Sequence, residues 1–265
     1  MNDKLKTAIY GFAIGDALGV PYEFTIRDMA GTVKMTGGGT WSMPKGTWSD
    51  DTAFTLATCE ALKYSEGISV KHIRENLEAC AKGKYYLDNN VFDIGYTTRE
   101  ALKRGYGLTD KYNCGNGSMM RILPLAFVKN GFDYISDVSC ITHAHPLCIE
   151  YCEAYVHLVH MCINGMISKP QDMEKYYPIV LLIAPNSDIR STGYVKDTME
   201  SVLWCLYNTD SYEEAVITAV RLGGDTDTIA ALTGACAALI YGYNSIPKKW
   251  IKDLRGKDMI ERCLF

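Results

Sequence analysis

Gly11, Gly15 and Gly19 recur at every fourth position of the segment KLKTAIYGFAIGDALG, so on a helix they line one face. Each costs about 1 kcal/mol relative to Ala in a helix interior, which only a very close helix partner offsets. A matching stripe, Ala230, Gly234 and Ala238, stands at the same spacing near the other end of the chain. Pairing the two small faces predicts that the first helix lies against a helix of the last third. That contact draws the N-terminal region toward the acidic residues that open the later helix.

Helical periodicity dominates the rest. Residues 3–19, 51–64, 69–82, 93–104, 117–129, 134–142, 146–163, 172–184, 194–207, 211–222, 227–242 and 247–253 read as helices, and alternating strand patterns are nearly absent. Gly37-Gly38-Gly39, Asn113 to Gly117, Asn130-Gly131 and Pro185-Asn186-Ser187 punctuate them as turns. The fold class expected is all-α, a compact orthogonal bundle of about a dozen helices. No linker of Pro, Gly and Ser divides the 265 residues, so residues 1–265 read as a single domain with one large core.

Charge is nearly balanced, 27 Lys and Arg against 31 Asp and Glu, without a basic run. A stable nucleic-acid partner is therefore not expected. The apolar N-terminal stretch is broken by Asp16 and lacks a cleavage site, so it does not read as a signal peptide. Ile229 to Tyr243, the longest apolar run, is shorter than the roughly 20 residues of a membrane span. Ten cysteines without a secretion signal read as reduced thiols of a cytoplasmic protein, most of them, such as Cys59, Cys205 and Cys236, inside apolar helices.

Two acidic clusters open small-residue helices: Ser49-Asp50-Asp51-Thr52 before AFTLATCEAL, and Asp225-Thr226-Asp227-Thr228 before IAALTGACAALIYG. A single Asp or Ser there is an ordinary N-cap that meets the positive helix end. Paired carboxylates, twice, exceed what capping requires. Brought together, four carboxylates repel strongly, and divalent cations with a preference for carboxylate and hydroxyl oxygens, magnesium or manganese, remove the repulsion. The clusters read as two halves of one metal site.

GFAIGDALGVPYEF, GTWSDDT, NGSMMRILPLA, THAHP and GGDTDTIAALTGACAALIYG occur in that order from about Lys6 to Trp250. Together they resemble the ADP-ribosylglycohydrolase family. The resemblance implies an all-α fold with a binuclear magnesium or manganese centre that cleaves the bond between the distal ribose of ADP-ribose and a modified side chain. It assigns metal-ligand roles to Ser49, Asp50, Asp51, Asp225, Asp227 and Thr228, with Ser49 standing where Thr is more usual, and a place in catalysis to Asp227. Glu23 matches a metal-proximal glutamate proposed to activate water; read alone it is an exposed helix-end carboxylate. The general base implied is Asp50 or Glu23.

The same resemblance places Asn116, Gly117, Ser118, Met119 and Arg121 against the substrate's phosphates and ribose. A glycine-containing turn opening a helix suits an anion, though Asn-Gly-Ser is also an ordinary helix start. Arg121 is either a phosphate ligand or half of an internal ion pair. His143 matches a histidine near the ribose, and Tyr194 an aromatic near the adenine or ribose. The expected partners are an ADP-ribosylated protein or small molecule as substrate and ADP-ribose as product. Arginine-linked ADP-ribose is the preferred substrate, with serine-linked or other adducts as alternatives.

Two rivals stand beside this reading. His143, His145, Cys148, Cys152, His157, His160 and Cys162 suggest a zinc site, although their spacing departs from common zinc frames. A non-catalytic ADP-ribose-binding protein on the same fold is the other, since fold alone does not establish function. No phosphate-binding loop or dinucleotide fingerprint occurs.

Overall fold

A computed structural model describes residues 2–28, 31–64 and 67–265. Among these residues the chain is all-α. Its α-helices are α1 (Asn2–Gly19), α2 (Asp50–Lys63), α3 (Val70–Cys80), α4 (Tyr96–Arg104), α5 (Ile135–Ser139), α6 (Pro146–Ile163), α7 (Ile179–Leu182), α8 (Val195–Tyr207), α9 (Tyr212–Arg221), α10 (Thr226–Tyr241), α11 (Lys248–Asp253) and α12 (Lys257–Cys263). Among the described residues β-structure is limited to isolated bridges, including Gly115 with Tyr194.

The glycine stripe does what its spacing predicts. α1 lies against α10 so closely that a Cβ on Gly11 would sit 2.4 Å from the Gly234 carbonyl oxygen, and one on Gly15 would sit 2.1 Å from that of Ala230. At the end of the stripe a Cβ on Gly19 would meet the Asp227 Cα at 2.4 Å. The close approach therefore ends on the second acidic cluster. α10 is buried from Thr226 to Ala238 and is further enclosed by α6, α8 and α9. Tyr155 on α6 donates to the Leu232 carbonyl (3.0 Å), and Tyr212 on α9 to that of Gly11 (2.9 Å), so the tyrosine hydroxyls in this layer have acceptors.

Three expected helices differ from the observed ones. Residues 117–129 form short 3-10 turns at Met119–Arg121 and Leu123–Phe127, because Pro124 supplies no N–H for continued α-helical bonding. Residues 172–184 divide at Pro178 into the 3-10 segment Pro170–Lys175 and the short α7. The helix expected from residue 93 begins at Tyr96, after Asp93 takes a left-handed φ of +65°. A final helix, α12, was not anticipated.

All ten cysteines are free thiols, and all but Cys140 are fully buried. No described helix is long and apolar enough to cross a membrane.

Candidate functional site

The first acidic cluster is shaped by the start of α2. Ser49 is its N-cap, and its hydroxyl accepts from Asp51 N at 3.2 Å and donates to Asp51 Oδ2 at 3.0 Å. Asp16, from the buried face of α1, completes the cap: Oδ1 accepts from Ser49 N (2.8 Å), and Oδ2 from Thr52 N (3.0 Å) and Thr52 Oγ1 (2.6 Å). A fully buried carboxylate thus fixes the register between α1 and α2. Asp50 and Asp51, the next residues along, are left to face inward.

The second cluster is held differently. Asp225 precedes α10 without capping it through its side chain; Oδ2 instead accepts from Asn116 Nδ2 at 2.6 Å. Asp227 Oδ1 accepts from Thr228 N (3.0 Å), and Thr228 Oγ1 crosses to Asp51 Oδ2 (3.2 Å). The hydroxyl of Thr228 therefore ties the two clusters together. Glu23 lies beside them, with its Oε2 accepting from the indole N–H of Trp41 and its backbone carbonyl from Thr40 Oγ1 (2.9 Å). It is 4% exposed, which excludes the exposed helix-end reading.

Two carboxylate triads result. Asp16, Asp51 and Asp227 each bring an oxygen within 4.8 Å of the others, as do Glu23, Asp225 and Asp227. Asp227 belongs to both. Asp51 Oδ1 and Asp227 Oδ2 are buried without a hydrogen-bond partner. Orphaned, all-oxygen donors of this kind fit hard divalent cations. Asp16 also positions α2, through the bonds that its two oxygens accept from Ser49 and Thr52.

Electrostatics agree. Burial, reinforced by the neighbouring carboxylates, holds Asp50, Asp51 and Asp227 well above the usual carboxylate range. Burial also raises Asp225, and it raises Asp16 to about 6 and Glu23 to about 7 against the bonds those two accept. Asp93, half-buried above the cluster, is pushed to about 11 by burial and then by Asp50 and Glu23.

A pH dependence follows. In the metal-free protein these acids bind more protons folded than unfolded, so stability is greatest below their ordinary values near 4 and falls as pH rises. Between about pH 6.5 and 7.5 the buried neutral His143 opposes this by at most about half a proton and thiols are still largely protonated, so the carboxylates dominate the slope. Scanning fluorimetry is expected to show the melting temperature with chelator falling across this window while that with manganese holds. The gap widens with pH because the ligands must be ionised to bind. A chelated melting temperature that stays flat or rises would refute the crowded-carboxylate account.

A cavity of about 540 Å³ opens above the cluster, lined by Glu23, Asp50, Asp225 and Thr228 at one end and by Asn116, Gly117 and His143 along a side. Gly117 is obligatory there: a Cβ would sit 2.8 Å from His143 Cε1 and 2.9 Å from Thr98 Oγ1. His143 Nδ1 shares a hydrogen bond with Thr142 Oγ1 (2.9 Å). Burial, with the nearby Arg121 cation, lowers His143 to about 3, so its ring is neutral at physiological pH.

The remaining expected contacts are redistributed. Ser118, Met119 and Arg121 are fully buried beneath the loop and do not line the cavity. Arg121 donates to the Val138 carbonyl (3.1 Å) and Thr142 Oγ1 (2.8 Å), so it supports the His143 segment and is neither a phosphate ligand nor half of an ion pair. Tyr194 stands outside the cavity wall, its backbone bridged to Gly115. The aromatic lining comes from Phe24, Tyr96 and Tyr112, of which Tyr112 is 85% exposed.

Asp16 and Asp93 lie outside the ligand set expected from the sequence. Asp16 had a signal, a carboxylate inside an otherwise apolar helix; Asp93 had none.

The zinc alternative finds no ligand set. His145 caps α6 by accepting from Leu147 N (3.1 Å), and His157 and His160 pack on Phe132. Among the described residues, groups of three ligand atoms close enough for one ion consist of carboxylates alone.

Comparison with known proteins adds independent findings. A family model described as ADP-ribosylglycohydrolase matches residues 1–264. ADP-ribosylarginine hydrolase Tri1 of Serratia proteamaculans is 34% identical, over 97% of this chain and 77% of its own length. ADP-ribosyl-[dinitrogen reductase] glycohydrolase of Rhodospirillum rubrum is 31% identical, over 97% and 92%. A solved structure titled ADP-ribosylglycohydrolase-related protein complex superposes with a TM-score of 0.80 at 25% identity, covering 99% of this chain and 95% of that one.

Proposed function

The chain belongs to the ADP-ribosylglycohydrolase family, and on that premise we propose that it releases ADP-ribose from arginine side chains of modified proteins with two magnesium or manganese ions bound. The observation that carries this reading is the pair of carboxylate triads sharing Asp227 at the base of a ligand-sized cavity. Asp50, Asp51, Asp225 and Asp227, with the hydroxyls of Ser49 and Thr228, would hold the ions. Such ions polarise bound water and orient substrate hydroxyls.

The remaining work falls to the chain. The backbone turn at Asn116 and Gly117 receives the distal ribose and phosphates. His143, neutral and held by Thr142, offers a hydrogen bond without adding charge beside a positive anomeric carbon. Water oxygen bonds to that carbon as the glycosidic C–N bond breaks; the water proton passes to a carboxylate, and the leaving nitrogen keeps the electron pair. Glu23, held by the indole N–H of Trp41, and Asp50 both face this space, and either is placed to accept that proton.

Arginine is favoured over serine by charge. A guanidinium entering the cavity meets the carboxylates of Glu23 and Asp93 in its wall, whereas a serine hydroxyl brings no cation to pair with them. ADP-ribosylarginine hydrolases are also among the relatives that span the whole chain.

The test measures ADP-ribose released from matched arginine-linked and serine-linked substrates, with manganese, with magnesium and with chelator. Metal-dependent release from the arginine-linked substrate is expected. Release from neither transfers weight to the non-catalytic ADP-ribose-binding reading, and preferential release from serine overturns the linkage.

A further inference from the structure

A second cavity, of about 460 Å³, adjoins the first at Asp93, between α3, the segment around Asp93 and α4. Asp93 lines both. Its left-handed φ of +65° turns the carboxylate toward the metal cluster while its neighbours Phe92 and Ile94 floor the second space. Phe92 is in turn 5.6 Å, centroid to centroid, from Trp41, whose indole N–H bonds Glu23. Whatever fills the second cavity therefore rests on Phe92, which adjoins Asp93 in sequence and packs on the Trp41 that bonds Glu23.

The lining is apolar below and cationic above. Ala81 and Leu102 join Phe92 and Ile94, while Lys82, Arg99 and Lys103 stand exposed at the rim, with Glu78 and the inward Asp93 as the acids. None of the three cations has an ion-pair or side-chain hydrogen-bond partner among the described residues. On a chain of net charge −4 this is a local reversal of sign. Unpaired cations around an apolar floor complement a ligand with an apolar anchor and negative flanks.

We propose that this cavity is a docking subsite for the polypeptide of the substrate: an acidic segment with a large apolar side chain, next in sequence to the ADP-ribosylated arginine. The proposal rests on the hydrolase reading above and deepens it. Contiguity at Asp93 chooses the occupant, because a chain that presents its modified arginine to the metal cluster carries its neighbouring residues over the Phe92 floor. Specificity for the modified protein then comes from this rim, and ADP-ribosyl-arginine alone forgoes it.

The test uses two peptides ADP-ribosylated at a single arginine, one flanked by leucine and glutamates, the other by leucine and lysines, with ADP-ribosyl-arginine as the small substrate. Native protein is expected to cleave the acidic peptide with a kcat/KM about tenfold above the basic one, an advantage that shrinks as salt rises. The double substitution Lys82→Glu, Lys103→Glu abolishes or inverts that preference and leaves ADP-ribosyl-arginine turnover unchanged. Equal cleavage of both peptides by native protein, or an equal loss on all three substrates in the variant, overturns the proposal.

Should native protein cleave none of them, the hydrolase reading fails and docking is judged separately by fluorescence anisotropy of the unmodified acidic peptide. Binding weakened about tenfold by the double substitution supports the subsite, and absence of binding ends it. A free leucine-and-glutamate dipeptide that changes ADP-ribosyl-arginine turnover while the flanked peptides are cleaved alike marks a small-molecule effector site instead, and also overturns the proposal.

Discussion

Asp227→Asn abolishes ADP-ribose release while raising the melting temperature of the chelated protein. The two effects have one cause. Asp227 is the carboxylate common to both triads, and its Oδ2 is buried without a partner. An amide would offer no anionic oxygen to an ion held in either triad, so affinity for cations in both would weaken together. Loss of several kcal/mol of transition-state stabilisation corresponds to a fall in kcat/KM of about 10³-fold or more.

Stability moves the other way. The metal-free native protein holds Asp227 far above its usual range through burial first, then Glu23, Asp93 and Asp225. An amide is neutral without having to take up a proton on folding, and Asn Oδ1 still accepts from Thr228 N. A gain of about 1–3 kcal/mol follows from removing one poorly compensated buried group, read as a rise in melting temperature with chelator present. A variant that loses both activity and metal-free stability would show that Asp227 is a structural residue.

Gly15→Ala is expected to destabilise the whole protein by about 3 kcal/mol, a melting temperature lower by roughly 6–10 °C. The added Cβ would lie 2.1 Å from the Ala230 carbonyl oxygen and 2.6 Å from its carbon, backbone atoms that a side-chain rotation cannot clear. Relief requires α1 to move, and the next residue is Asp16, whose oxygens order Ser49 and Thr52 at the start of α2. Metal affinity therefore falls with stability. Gly95→Ala supplies the control: its Cβ would meet nothing within 4 Å and its φ is −59°, so its melting temperature stays near native. Equal effects of the two substitutions would refute close packing as the reason for the stripe.

Both predictions concern features whose sequence signals were strong. The four-residue glycine spacing, the Ser-Asp-Asp-Thr and Asp-Thr-Asp-Thr clusters and the long periodic helices α1, α2, α6 and α10 are local patterns that directly report one face or one helix start. The α1–α10 pairing was legible because two stripes of equal spacing fit each other. What was illegible depends on contacts that no local pattern encodes. Asp93 sits in an irregular segment, and only the turn at its own φ aims it at residues from three other parts of the chain. Arg121 reads as a ligand in a ligand-like motif, yet the 3-10 turn that Pro124 permits swings it beneath the loop onto Val138 and Thr142. Tyr194 and the ring-bearing Tyr112 are indistinguishable in a chain of 18 tyrosines until the wall of the cavity is seen.

The seam between α1 and α10 also sets the order of events at birth. Asp16, Asp50 and Asp51 leave the ribosome well before Asp225 and Asp227, and the glycine face of α1 has no partner until residues 226–241 have been made. Contacts of such long sequence separation form slowly and late. A nascent chain halted short of α10 thus displays an open apolar groove along its first helix, a handle for chaperones and proteases, and can bind no ion at the shared carboxylate. The two acidic clusters and the buried seam that joins them are thus completed in the same step.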